Sequence, residues 1–171
     1  ATVLEAIDYA VENGATEIKL LSDTRELMPT DIEIILKANL TITADAPVSA
    51  KFYNNGTSYD FIINSNNNNT FTIGENVTFQ LEDRVIWLGY YGNNVTVVVN
   101  GTLAGYQIWH GADTNVNATG TIKTTGEALV GTVYETSSAA NKVKCALADG
   151  TVVYLSPTAA TGTAVEGHTY Y

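Results

Sequence analysis

Glu82-Asp83-Arg84 sets two carboxylates directly against a guanidinium in this 171-residue chain. Acids beside a base can give and take a proton during bond cleavage. To act together, the three would have to project from one face, with a further acid in the next structural repeat. Asp113 stands at about that distance, so the catalytic candidates are Asp83, Arg84 and Asp113. The competing and preferred reading is a solvated turn with a local ion pair, which adds little stability. His110 and His168 are too far apart in sequence to suggest a metal pair, and His110, after Trp109 in an expected turn, reads as exposed. Cys145 is alone, so no internal disulfide and no cysteine-based zinc site can form. It alternates with apolar residues in Val143-Lys144-Cys145-Ala146-Leu147, the pattern of a buried, inert thiol.

Aromatic residues are the better lead. Trp87, Tyr90 and Tyr91 form one aromatic-rich segment, and Tyr106 and Trp109 form another about one repeat later. Exposed Trp and Tyr rings pack on the C–H faces of sugars, so these five are the candidate binding residues. The competing reading is that the tryptophans fill the core, as large aromatics commonly do. Strand alternation separates the two readings. Trp87 lies between Ile86 and Leu88; if those two point inward, Trp87 points outward. The same reasoning puts Ile108 and Trp109 on opposite sides.

These side chains need a scaffold, and the chain repeats itself loosely. Thr72 and Thr96, Thr78 and Thr102, and Trp87 and Trp109 sit in matching settings, the members of each pair roughly two dozen positions apart. A period in this range marks a supersecondary unit that buries its face only against a neighbouring copy. Thr2-Val3-Leu4-Glu5 is a capping box. Val3, Leu4, Ile7, Ala10 and Val11 share one helical face, and Gly14 supplies the left-handed stop, which predicts a helix over 3–13. Strand-like runs follow at Glu17–Leu21, Asp31–Leu36, Asn39–Ala44, 61–63, 71–73, 77–81, 85–88, 95–99, 107–109 and 121–123, with Ser22-Asp23-Thr24 read as a turn. With no intervening helices the choices are a sandwich, a barrel or a β-solenoid. The echo favours the solenoid, as do Asn66–Asn69 and the pairs Asn54-Asn55 and Asn93-Asn94, because Asn tolerates left-handed backbone and can stack amide on amide between coils. The domain reading is a parallel β-helix over 1–126 and a C-terminal β cap or small appendage over 127–171. In that tail, Ala148-Asp149-Gly150 between two apolar runs signals a hairpin, and His168–Tyr171 reads as a last strand.

Charge narrows the partners. The net charge is −10 with eight Lys and Arg, which argues against nucleic acid and against anionic lipid. The acidity would suit calcium, but no D-x-[DN]-x-[DN]-G loop supports it, and no metal site is expected. No apolar run approaches the length of a membrane span, so no membrane insertion is expected. Ala1 leads almost at once into a helix and Tyr171 ends in a strand-like run, which suggests a monomeric segment cut from a longer protein. Asn39, Asn55, Asn68, Asn76, Asn94, Asn100 and Asn117 each begin an Asn-x-Thr sequon; Asn turns beside Thr-rich strands would produce the same pattern without glycosylation. Thr41-Ile42-Thr43 and Thr70-Phe71-Thr72 resemble the threonine pairs of ice-binding solenoids, but no regular ladder of them repeats.

Leu4–Ala15, then Ile18-Lys19-Leu20, then Asn39-Leu40-Thr41-Ile42, resemble the start of right-handed parallel β-helix proteins of the pectate-lyase-like group. In that group a short helix caps the N-terminal end of the solenoid. The Asn- and Thr-rich coils are also similar to those of large adhesin-like surface proteins of bacteria and archaea. The resemblance spans about residues 2–126 and marks architecture rather than activity. It implies an all-β, right-handed parallel β-helix. Enzymes of this fold cleave acidic polysaccharides, with clustered acids for calcium and a basic residue, or with several Asp on adjacent coils. This chain has only two Arg. The expected function is therefore a non-catalytic solenoid segment of a large secreted or cell-surface protein, extracellular, adhesive or structural, with a glycan or a neighbouring cell surface as partner. The alternative is a degenerate or truncated polysaccharide lyase or hydrolase.

Overall fold

The computed structural model describes residues 1–90, 94–110, 114–124, 143–146 and 152–155; for 107, 109, 110, 123, 124 and the last two segments it describes the backbone alone. Helix α1 is Val3–Asn13, as its sequence predicts. The Thr2 hydroxyl accepts from the Glu5 amide, Glu5 returns to the Thr2 amide, and Gly14 closes the helix at φ 69°. The remaining first-turn amides find a partner the sequence did not reveal. Glu26 accepts from Val3 N at 2.6 Å and from Leu4 N at 3.1 Å, placing a carboxylate at the positive end of the helix. Val3, Ile7 and Ala10 turn their apolar stripe onto the core.

The strands that follow are β1 (Glu17–Lys19), β2 (Thr24–Leu27), β3 (Ile32–Leu36), β4 (Leu40–Thr43), β5 (Val48–Tyr53), β6 (Phe61–Ser65), β7 (Thr70–Ile73), β8 (Val77–Leu88), β9 (Thr96–Val99), β10 (Thr102–His110), β11 (Asn115–Ala118) and β12 (Thr121–Thr124). They pair in parallel and form three faces. The first face is β1-β4-β7-β9-β11. The second is β2-β5, then the opening halves of β8 and β10, then β12. The third is β3-β6, then the closing halves of β8 and β10. Each coil gives one stretch to each face in turn, so the described residues form a parallel β-solenoid with one short N-terminal helix. Separately, β13 (Val143–Ala146) and β14 (Val152–Leu155) pair antiparallel, as the hairpin signal predicts. The expected strand at His168–Tyr171 lies outside the described residues.

Alternation sends every second residue inward, and in-register pairing stacks those residues into rows. Ala50, Phe79 and Leu103 form one such row, and Phe71, Val97 and Val116 another, all buried. All four phenylalanines of the chain meet in the middle coils: Phe79 lies 5.0, 5.2 and 5.8 Å from Phe52, Phe61 and Phe71, ring centre to ring centre. Each buried Phe contributes about 1.5–3 kcal/mol, and such ring pairs add about 0.5–1.5 kcal/mol more. The solenoid then tapers. The step from Thr41 to its register partner Thr72 is the longest on the first face, that from Thr72 to Val98 is shorter, and that from Val98 to Asn117 is shorter again. Inner residues shrink to Val and Ala along the same path.

The register corrects part of the sequence echo. Thr78 does lie beside Thr102 and Trp87 beside Trp109, but Thr72 lies beside Val98, and Thr96 beside Thr70. A slip of two positions leaves each side chain on the same face, so alternation cannot detect it. The coils also begin earlier than the echo, at Glu17. Thr24, read as part of a turn, opens β2, and His110, placed in an expected turn, closes β10. β5 and β11 are further strands that the sequence did not announce. Asn side chains do tie coil to coil, through main chain, hydroxyls and carboxylates. Asn39 accepts from Thr70 N at 2.8 Å, Asn69 donates to Leu36 O at 3.1 Å, Asn76 donates to Ala44 O at 3.1 Å, and the Thr119 hydroxyl donates to Asn100 at 2.9 Å. The threonine pairs stand closer to a ladder than their spacing suggests: Thr41 is in register with Thr72, and Thr70 with Thr96, on the outer side of the first face.

Among the described residues no helix is long and apolar enough to cross a membrane. Among the same residues no three His, Cys, Asp or Glu gather in a way that could hold a metal ion.

Candidate functional site

Among the described aromatic candidates, Trp87 and the backbone of Trp109 lie on the third face, Tyr106 at its leading corner and Tyr90 just past its end. Ile86 and Leu88 are 0% and 1% exposed, and Trp87 between them lies outward and half-buried. The alternation argument therefore holds for Trp87. Its row along the outer side is Glu33, Ile62, Trp87 and the backbone position of Trp109, each in register with the next. Adjacent positions in such a row lie about 4.8 Å apart. Just past the end of β8, Tyr90 sets its ring against Trp87, with centres 4.9 Å apart and planes at 68°.

Tyr90 is positioned by a buried amide. Its backbone N–H donates to Asn64 Oδ1 at 2.7 Å, and Asn64 Nδ2 donates to Glu33 Oε1 at 2.7 Å. Asn64 is 0% exposed, so both bonds form away from water, where an unmade bond would be costly. One side chain thus connects three coils and fixes the exit of β8. The sequence carries one sign of this: Asn64 precedes Tyr90 by one coil step. Without the register that spacing has no meaning. The opposite side of the same exit is held by the buried Thr114, whose hydroxyl donates to Leu88 O at 2.9 Å.

Tyr106 stands apart from the strip. Gly105 faces Leu81 and Gln107 faces Val85, so Tyr106 alone spans what residues 82–84 cover on β8. It sits 39% exposed at the corner between the second and third faces. The structure therefore brings Trp87 and Tyr90 together, sets Trp109 in register with Trp87, and places Tyr106 beside the acid–base cluster. Tyr91 and Asp113 lie outside the described residues.

Each member of Glu82-Asp83-Arg84 has its own partner in an earlier coil. Glu82 takes a two-pronged ion pair from Arg25, with Nη2–Oε2 2.7 Å and Nε 3.1 Å from both oxygens, and the Arg25 guanidinium lies 3.8 Å above the Tyr53 ring. The Arg25 hydrogen bonds, then its charge, hold the Glu82 carboxyl below its ordinary range, and the same hydrogen bonds raise Arg25. Asp83 accepts from Asn54 N at 3.0 Å and from Asn54 Nδ2 at 3.0 Å. Arg84 Nε lies 3.2 Å from Asp60 Oδ1, close enough for an ion pair but not aligned as a hydrogen bond. The cluster thus fastens the corner to the coils before it. The same device recurs nearby: Asp31 accepts from Asp60 N at 2.7 Å, and Asp23 accepts from the Ser49 amide at 2.7 Å and its hydroxyl at 3.0 Å. The Ser49 amide, then its hydroxyl, hold Asp23 below its ordinary range.

The outer sides of two faces differ in kind. The first face presents Thr41, Thr43, Thr70, Thr72 and Thr96, all half-buried. The third presents Ile35, Ile62 and Trp87. An apolar, aromatic strip on rigid strands can stack on a flat ligand, and a threonine surface cannot do so in the same way.

No protein-family model, no curated protein and no solved structure matches this chain.

Proposed function

We propose that this chain is a non-catalytic β-solenoid segment of a large secreted or cell-surface protein, adhesive or structural in role. Its contact with a glycan would run through Trp87, Tyr90, Tyr91, Tyr106 and Trp109. The observation that carries this reading is Trp87 itself. It stands outward between two buried residues, in ring contact with Tyr90 and in register with Trp109. Strand-borne rings lose little freedom on binding, so stacking energy is retained as affinity. The helix-capped parallel solenoid supports kinship with the pectate-lyase-like group and with adhesin-like surface proteins. The partners that Glu82, Asp83 and Arg84 already hold favour a structural over a catalytic use of that cluster.

A glycan array followed by titration of the hits tests the reading. Wild type binds at least one oligosaccharide, and Trp87→Ala and Trp109→Ala each weaken that binding about tenfold, the equivalent of one good stacking contact. An array without hits, or hits that both variants retain in full, removes it.

A further inference from the structure

Stacking on a sugar face is indifferent to the sugar's charge, so the rim of the strip must select the ligand. At its leading corner the described rim is acidic, and the cations there are engaged. Glu33 lies in the same outer row as Trp87. Asp31 and Asp60 precede the two strands that start the third face, and Asp83 stands at the corner that leads into it. Both arginines of the chain are at that corner: Arg25 is held in two prongs by Glu82, and Arg84 lies against Asp60. Lys37 is exposed one residue past the far end of β3, away from this corner. A uronate or sulfated sugar on the strip would have to pull a guanidinium from its carboxylate, against a net charge of −10. The carboxylates are also partly occupied as acceptors. Glu33 receives the Asn64 amide, Asp83 receives both N–H groups of Asn54, and Asp31 receives the Asp60 amide. Their remaining lone pairs suit sugar hydroxyls, which donate without bringing a charge.

We propose that the strip takes an uncharged glycan, a polymer of neutral hexoses rather than of uronic acids or sulfated sugars. The proposal rests on the glycan reading above and goes further by naming the charge class. Charge complementarity with an acidic rim whose arginines are already paired carries it.

The test is calorimetric titration of the full chain with length-matched hexamers: α- and β-linked neutral hexoses, galacturonate and glucosamine, each at ~0.01 M and ~1 M salt, which move the screening length from about 30 to about 3 Å. A neutral hexamer binds, its Kd changes less than about twofold between the two salts, and Trp87→Ala or Trp109→Ala weakens it about tenfold. Melting temperatures of both variants confirm that they fold. Galacturonate shows no binding at low salt. Galacturonate binding that falls with salt overturns the charge class and leaves the glycan reading standing, as does a glucosamine hexamer that outbinds every neutral one at low salt. Silence from all hexamers at both salts overturns the glycan reading and this proposal together. Neutral binding that both variants keep in full moves the site elsewhere and overturns the proposal.

Discussion

Two corners of the solenoid solve the same problem by different means. Between the first and second faces the later coils turn on glycine. The added Cβ of an alanine at Gly101 would collide with the Gly74 and Val77 carbonyls, and one at Gly120 with those of Asn100 and Gly101. Backbone rests on backbone there, and Gly101 N donates to Ile73 O at 3.2 Å while Gly120 N donates to Val99 O at 2.9 Å. Between the second and third faces, side chains hold the turn. β8 places residues 82–84 where β10 places Tyr106 alone, and the coil before has residues 54–60 in that position. Arg25, Asp83 and Arg84 bridge the unequal lengths. A corner fixed by close contact cannot vary; one fixed by long polar side chains can. The variable corner is the one that opens onto the aromatic strip.

Substitution at the glycine corner gives the largest effect. Gly101→Ala costs about 3 kcal/mol or more, because the neighbours are main-chain carbonyls that cannot rotate aside. Gly56→Ala is the matched control at the other corner. Nothing lies within 4 Å of its added Cβ, and only the φ of +76° resists, so the cost is about 1 kcal/mol. Urea unfolding of both variants measures the difference. Equal losses would mean that close contact does not set the first corner.

The polar corner yields next. Asp83→Ala strips the acceptor from Asn54 N and Nδ2 at a residue only 7% exposed, a loss of about 1–3 kcal/mol. Asp83→Asn keeps one carbonyl acceptor and loses less. If both variants unfold like wild type, the polar corner is not held by side chains and the contrast between the corners fails.

How much of this was legible depended on whether the signal was local. The cap, stripe and stop of α1 all lie between Thr2 and Gly14, and together they mark both of its ends. Alternation placed Trp87 outside because Ile86 and Leu88 flank it directly. Register was harder, because the coil step first lengthens and then shortens along the chain, so no single period aligns all the coils. β2 escaped notice because its residues are only half-buried or exposed and two of its four are charged. β5 reads as mixed because the small or polar Ser49, Ala50 and Lys51 stand between Val48 and Phe52. The sequon pattern also has a structural origin. In Asn76-Val77-Thr78 and Asn100-Gly101-Thr102 an Asn at the corner ties coils together, the middle residue is buried, and Thr starts the outer side of a strand. The ties from Asn64 to Tyr90, Arg25 to Glu82 and Asp83 to Asn54 each reach at least a full coil along the chain, and no local pattern encodes them.

The smallest expected effect comes from pH, and it separates charge-held turns from contact-held ones. Glu82 and Asp23 both have folded-state values below their ordinary ones, Glu82 through the Arg25 hydrogen bonds and Asp23 through the Ser49 amide. A lowered carboxyl binds fewer protons folded than unfolded. Its contribution is therefore complete above the unfolded value and disappears as pH falls through the folded one. The melting temperature should hold across neutral pH and decline on the acid side of the ordinary carboxylate range. Solvent and salt screen the Arg25–Glu82 pair, so its share is modest and shrinks further at high ionic strength. Glu82→Gln should flatten part of the acid decline and remove part of its salt sensitivity. Gly56→Ala should shift the whole curve down without changing its slope, since no titrating group is touched. If Glu82→Gln declines in acid as steeply as wild type at low salt, the pair at the polar corner does not carry the pH dependence, and Asp23 on Ser49, at the corner before β2, becomes the group to substitute.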